Sequence, residues 1–173
     1  MFGFMKKLNN KILMFFVIAV FLTVRNAELY AFENYTVVDG DSLRLGKAEI
    51  RLVGIDAPEL FQKCYDENDK YYECGKVATK VLQKYVKGGV KCRGNSKDVY
   101  NRRLMECFDK TKESINKKMV SEGWAISYGN RFENEENDAK SKKKGIWKGR
   151  FMRPELYRAL HNKKKNFDKF EKR

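Results

Sequence analysis

The sequence predicts an α+β fold, a small five-stranded antiparallel barrel of the OB type with about three helices packed on it. Two observations carry that expectation. Five short segments have strand character and alternate with segments of helical apolar spacing, in the order βββ-α-ββ-α-α. With 42% hydrophobic residues, including 2 Trp, 9 Tyr and 12 Phe, the 173-residue chain also has the material for one packed core. Only 2 Pro and 12 Gly occur, so the composition is neither collagen-like nor low in complexity. No internal repeat is present and no linker divides the chain.

The first 31 residues differ in kind from the rest. Lys6, Lys7 and Lys11 precede an uncharged run from Ile12 to Val24, Arg25 closes that run, and Leu29-Tyr30-Ala31 follows. This is the layout of a secretory signal. The run is shorter than the roughly 20 residues a membrane-spanning helix needs. Residues 1–31 are therefore expected to be a signal peptide cut after Ala31, with an uncleaved membrane anchor formed by residues 12–24 as the alternative. The expected location is secreted or periplasmic. Residues 32–158 form the expected domain and residues 159–173 a basic tail.

Within the domain, Tyr35 to Val38 and Ser42 to Leu45 read as two strands joined by Asp39-Gly40-Asp41, since Asp-Gly is a tight-turn signal. Ala48 to Ile55 alternates charged and apolar residues as a half-buried strand does, and Pro58 stops it. From Gly75 to Lys87 the apolar residues Val77, Val81, Leu82 and Tyr85 recur at helical spacing, and Gly88-Gly89 ends the segment. Val90 to Arg93 and Leu104 to Phe108 read as strands around a turn containing Asp98 to Arg102. A short helix with Ile115, Met119 and Val120 on one face follows, then a helix from about Glu133 to Lys144 stopped by Gly145.

All four cysteines, Cys64, Cys74, Cys92 and Cys107, fall after the expected cleavage site, and an even count in an exported chain points to disulfides. Three pairings are possible. A hairpin centred between Val99 and Tyr100 sets Cys92 opposite Cys107 within bonding reach, which leaves Cys64 with Cys74. A four-cysteine zinc site is the rival reading, but no C-x₂-C knuckle occurs.

Charge and histidine content narrow the chemistry. The formal net charge is +14, from 37 Lys and Arg against 23 Asp and Glu, which points to nucleic acid or an anionic membrane as partner. His161 is the sole histidine, so a histidine-based triad and a multi-histidine zinc site are poorly supported. Asp39, Asp41, Arg51, Asp56 and Glu59 lie at the turns and ends of the first three strands, where a barrel gathers them at one rim. Carboxylate oxygens there suit Ca²⁺. Arg51 and Arg102 match phosphate oxygens in geometry, and a carboxylate off the metal could take a proton from water. These are the parts of metal-assisted phosphodiester hydrolysis. Singly, each has an ordinary reading as a turn former, a solvated strand residue or a helix-start acid.

Order and spacing together resemble the staphylococcal nuclease-like, or thermonuclease, family. The resemblance runs through Val37-Val38-Asp39-Gly40-Asp41-Ser42, Arg51-Leu52-Val53-Gly54-Ile55-Asp56-Ala57-Pro58-Glu59 and Asp98-Val99-Tyr100-Asn101-Arg102-Arg103-Leu104. It continues through Ile115-Asn116, Val120 to Ala125, Glu136 to Lys140 and Gly145-Ile146-Trp147, covering about residues 35–158. It implies an OB barrel with helices and Ca²⁺-dependent hydrolysis of DNA and RNA, preferring single strands. It further implies Asp41, Asp56 and the Ala57 carbonyl as metal ligands, Glu59 as the water-activating base, and Arg51 and Arg102 as phosphate clamps. Tyr128 looks like a tyrosine near the bound nucleotide, with a core tyrosine as the ordinary alternative. Asn101 stands where the family often has Gly, and Asn tolerates the left-handed conformation such a turn requires.

The Lys140, Lys142, Lys143 and Lys144 run and the tail lysines would concentrate a polyanion through salt-sensitive attraction. No obligate protein partner is evident, a monomer is expected, and membrane contact would come only through an uncleaved N-terminus. The competing function is a non-catalytic OB-type nucleic-acid-binding module, and a third is a basic membrane-surface protein. A pure binder has no need of three rim carboxylates that repel phosphate.

Overall fold

The computed structural model describes residues 35–171; the expected signal segment lies outside them. Three strands open the fold: β1 (Thr36–Val37), β2 (Ser42–Leu45) and β3 (Ala48–Leu52). They form an antiparallel meander in which Leu43 pairs with Val37 on one side and Ile50 on the other. Leu43, Ile50 and Leu52 point to the core while Arg44 and Glu49 face water, as the alternation in the sequence requires. The Asp39-Gly40-Asp41 link has a tighter constraint than turn chemistry. A Cβ at Gly40 would come to 2.7 Å from the Ala57 Cβ and 3.0 Å from the Ala78 Cβ, so the missing side chain is what lets this turn lie against the helix and the strand behind it.

The segment expected as one strand, Ala48 to Ile55, divides in two. β4 (Ile55–Asp56) leaves the main sheet and pairs antiparallel with β9 (Ile126–Ser127). The break falls at Val53-Gly54, where Gly54 takes φ +79°, a left-handed conformation that side chains disfavour. Asn116 holds the break: its side-chain amide donates to Val53 O at 2.8 Å and Met105 O at 3.2 Å, and its Oδ1 accepts from the Cys107 amide at 3.0 Å. Asn116 is fully buried, so these bonds are what make its burial tolerable.

β5 (Cys64–Tyr65) and β6 (Tyr71–Tyr72) form a small separate hairpin leading into α1 (Cys74–Val86), which buries Ala78, Thr79 and Leu82. Gly88 and Gly89, with φ +93° and +90°, end α1 as the sequence predicts. β7 (Lys91–Lys97) and β8 (Arg103–Phe108) make the long hairpin, with a register shift between Arg93 and Ser96. Asn101, at the tip, has φ +68°, the conformation expected of it.

β8 then lies beside β3 in parallel, Arg51 in register with Leu104, and the sheet order is β1-β2-β3-β8-β7. The expected five strands are thus all present, but the sheet is mixed rather than wholly antiparallel. Among the described residues no ladder joins β1 to β7, so no closed barrel is found. Alternation within strands could not reveal this. It fixes which face is buried, whereas the direction of β8 relative to β3 follows from a connection through β4, α1 and β7.

Four α-helices are described where about three were expected. α2 (Ile115–Ser121) is capped by Ser114, whose hydroxyl accepts from the Lys117 amide, and buries Ile115, Asn116, Met119 and Val120. α3 (Glu133–Ser141) ends three residues earlier than its spacing predicts, and a 3₁₀ turn covers Gly145–Lys148. α4 (Pro154–Glu171) starts with Pro at its first position and continues into the segment whose composition reads as a basic tail. The main core joins Leu43, Ile50, Leu52, Leu82, Ile115 and Met119. A second cluster joins Cys64, Cys74, Ile126 and Ile146, with Trp147 and Phe151 against it.

Both disulfides pair as the hairpin symmetry predicts: Cys64 with Cys74, and Cys92 with Cys107, which face each other across β7 and β8. Closing the 15-residue separation between Cys92 and Cys107 stabilises the fold by about 3 kcal/mol on loop-closure entropy. A Cys92→Ser/Cys107→Ser double variant should melt roughly 10 °C below the parent chain by calorimetry; an unchanged melting temperature would contradict the assignment.

Candidate active site

Three expected site residues meet where the meander turns over. The turn after β1 delivers Asp41, the outward face of β3 delivers Arg51, and the end of β4 delivers Asp56. Asp41 is 2% exposed and Asp56 1%. Ionised carboxylates removed from water need compensating charge and hydrogen bonds. Arg51 supplies both at once. Its Nη1 pairs with Asp41 Oδ1, while its Nη2 donates to Asp56 Oδ1 at 2.7 Å and to Ile55 O at 3.3 Å. Asp41 Oδ2 accepts the Ala57 amide at 2.7 Å, and Oδ1 accepts the Ser42 hydroxyl at 3.1 Å. Asp39 serves as a turn former here, its Oδ1 accepting the Asp41 amide at 3.1 Å.

Glu59 joins the group from the loop after Pro58 rather than from a helix start. Its backbone is held by Gln62, whose Oε1 accepts the Glu59 amide at 3.2 Å and whose own amide donates to Glu59 O at 2.7 Å. Gln62 is itself fully buried and anchored, its Nε2 donating to Met152 O at 2.6 Å. The Glu59 carboxylate remains about a third exposed, which leaves it in reach of water.

Arg158 is a member of the cluster that the sequence did not single out. From the second turn of α4 its Nη1 bonds Asp56 Oδ1 at 2.9 Å and Glu59 Oε1 at 2.8 Å, and its Nη2 bonds Asp56 Oδ2 at 3.0 Å. Burial alone would lower the pKa of this guanidinium; the hydrogen bonds and charge of Asp56 and Glu59 outweigh it and hold the group more firmly protonated. One Arg among many basic residues near the C-terminus carries no signal of this role in its spacing.

Arg102 is not drawn into the cluster. It stands at the base of the β7–β8 tip, where its Nε pairs with Asp98 Oδ2 at 2.7 Å. Asp98 Oδ1 in turn accepts the amides of Tyr100 at 3.0 Å and Arg102 at 2.9 Å, so one carboxylate folds the tip and aims the arginine. Tyr128 is 60% exposed, which sets aside the core alternative; its amide donates to Gly54 O at 3.0 Å, one residue before β4. Among the described residues, no group of three or more His, Cys, Asp and Glu is arranged to hold a metal ion. Guanidinium groups stand against the carboxylates instead.

As to known proteins, the model of the family described as staphylococcal nuclease homologue matches residues 49–149. The chain is 28% identical to the succinoglycan biosynthesis protein ExoI of Rhizobium meliloti over 119 residues, 65% of this chain and 62% of that protein. It is 30% identical to endonuclease YhcR of Bacillus subtilis over 131 residues, 64% of this chain and 11% of that protein. The chain thus spans less than two thirds of the length of either relative.

The Asp98 geometry generates a pH prediction. Burial alone would raise its carboxyl, but the hydrogen bonds and charge of Arg102, with the Tyr100 amide, bring the net shift below the ordinary value. A carboxyl depressed in the folded state contributes stability that is fully present above its unfolded value of about 4 and is lost as pH falls through the lower folded value. Asp98→Ala should therefore cost about 1 kcal/mol in denaturant unfolding at pH 6, with the difference from the parent chain narrowing as pH drops below about 4. A difference independent of pH would contradict the pairing.

Proposed function

The chain belongs to the staphylococcal nuclease homologue family, and on that premise we propose that it is an exported, Ca²⁺-dependent nuclease hydrolysing phosphodiester bonds of DNA and RNA with little sequence preference, favouring single strands. The observation that carries the reading is the convergence of Asp41, Asp56 and Glu59 on two guanidinium groups. A nucleic-acid-binding module gains nothing from carboxylates that repel phosphate. The name of the endonuclease relative supports the same reaction class. Export is supported by the basic and apolar N-terminal pattern and by two disulfides in the described chain. In this reading residues 32–158 are the nuclease-like domain and 159–173 its basic extension.

The donor set fits a hard cation. Asp41 and Asp56 present carboxylate oxygens to one shared position, both cut off from water, where positive charge is already required. Those two side chains and the Ala57 carbonyl would hold Ca²⁺, which supplies charge on the phosphate and orders the attacking water. Glu59, about a third exposed on a loop pinned by Gln62, would accept a proton from an attacking water at a carboxylate oxygen. Arg51, held between Asp41 and Asp56, would offer the N–H groups those aspartates leave free to phosphate oxygens. Arg102 reaches the same phosphate from the β7–β8 tip, where guanidinium geometry matches two oxygens at once. Tyr128, exposed beside β4, offers a ring on which an unpaired base stacks, which is the physical ground for a single-strand preference.

Glu59→Gln tests this assignment, because it keeps the side-chain shape and removes its basicity. Turnover on single-stranded DNA should fall by about 10²-fold or more, with DNA binding unchanged or tighter. Cleavage within threefold of the parent chain would remove Glu59 from the mechanism. Alongside it, Asp41→Ala should lose activity and Ca²⁺ affinity together, whereas Arg102→Ala should lose activity and keep most of that affinity. Wild-type rates in both variants would show the site to be elsewhere.

A further inference from the structure

We infer that Arg158 is a positioning residue that latches α4 onto Asp56 and Glu59 and competes with the divalent cation, so that filling the cation site releases the start of this helix. The inference rests on the nuclease reading for its cation, and on this structure for the latch. Arg158 engages both oxygens of Asp56 and Oε1 of Glu59, all within 3.0 Å. It therefore covers the proposed ligand on both of its oxygens and the proposed base on Oε1. A carboxylate whose oxygens already accept from a guanidinium is a weaker metal ligand than a free one, and its oxygens are less open to water. The site cannot reach its working state with Arg158 in place.

Charge counting points the same way. Asp41, Asp56 and Glu59 carry three negative charges, and Arg51 and Arg158 supply two positive ones. A divalent cation added beside both arginines would leave the partly buried cluster with excess positive charge. Moving one guanidinium to solvent relieves it. Arg158 is the one placed to move, because its side chain is 37% exposed against 16% for Arg51. Arg51 lies in the middle of a paired strand, whereas the helix bearing Arg158 leaves Leu156 and Leu160 exposed. Beyond the Arg158 bonds, the early part of α4 meets the Glu59 loop through Tyr157, whose hydroxyl donates to Phe61 O at 3.3 Å. Of the α4 side chains described over 154–163 only Pro154 is buried, and an element with so little buried surface opens at low free energy.

The test is Ca²⁺ titration by calorimetry into the full chain and into Arg158→Gln, without nucleic acid and at low salt. The variant should bind Ca²⁺ roughly tenfold more tightly, since the cation no longer displaces a charge-assisted hydrogen-bonded partner. Arg158→Lys, which retains the charge but not the fork, should fall between the two. Equal or weaker binding by a folded Arg158→Gln chain overturns the latch, as a purely structural role would predict. Hydrogen exchange on the unaltered chain supplies a readout that needs no variant. Saturating Ca²⁺ should speed exchange in residues 155–163 by about fivefold or more while α1 stays protected, and unchanged or slowed exchange there overturns the proposal. Should DNA be cleaved with Ca²⁺ while both readouts stay flat, the latch falls and the nuclease reading stands. Should neither chain bind Ca²⁺, the calcium reading falls and the latch with it.

Discussion

The burial of two carboxylates around one guanidinium is the constraint on which the rest of this structure turns. Asp41 and Asp56 are all but removed from water, and among the described residues Arg51 between them is the one cation that compensates both, with Arg158 adding to Asp56. Deleting one partner of such a group strands a buried charge, at a cost of about 3–5 kcal/mol. The group cross-links the turn after β1, the middle of β3 and the end of β4. Local features follow from it. Gly40 lets the first turn approach Ala57 and Ala78, and Gly54 lets the chain leave the main sheet so that Asp56 turns back toward Arg51. Buried Asn116 satisfies the backbone that this departure would otherwise leave unpaired.

The same constraint makes the site chemically useful. In the proposed function a place that demands positive charge among fixed oxygens would accept a hard cation in exchange for a guanidinium. The two arrangements are alternatives of one electrostatic balance. Parts that must act independently are anchored elsewhere. Glu59 depends on Gln62 and Met152, and Arg102 depends on Asp98 within a hairpin whose strands are tied by the Cys92–Cys107 bridge. Loss of hairpin order would therefore release Arg102 from its place while leaving the carboxylate cluster intact.

Much of this was legible in the sequence, for identifiable reasons. The Asp39-Gly40-Asp41 turn signal placed β1 and β2, and period-two alternation placed β3 and its inward face, because burial is written directly into that pattern. Symmetric spacing about Val99 and Tyr100 gave the Cys92–Cys107 pairing, because a hairpin converts spacing into opposition. Motif order gave Asp41, Arg51, Asp56 and Glu59, and these four do meet. What escaped depends on tertiary geometry. The parallel partnership of β3 and β8 arises between segments about 50 residues apart and leaves no periodicity in either. The split at Gly54 looks like one strand until a second sheet captures Ile55 and Asp56. Arg158 arrives on a helix about a hundred residues after its partners, at the very edge of the expected domain and just before a basic tail. Gln62, polar and in a loop by sequence, is fully buried because Glu59, Met152 and α1 close around it.

The most direct test of the account is one gel: purified protein with single-stranded DNA in Ca²⁺, in Mg²⁺ and in chelator. Cleavage should be strong in Ca²⁺ and absent in chelator. It should be weak in Mg²⁺, which demands shorter and more rigid octahedral coordination than two carboxylates and a main-chain carbonyl at the proposed site provide. Equal cleavage in chelator would show that the buried carboxylate pair does not work through a cation, and no cleavage under any condition would show that the cluster is not catalytic.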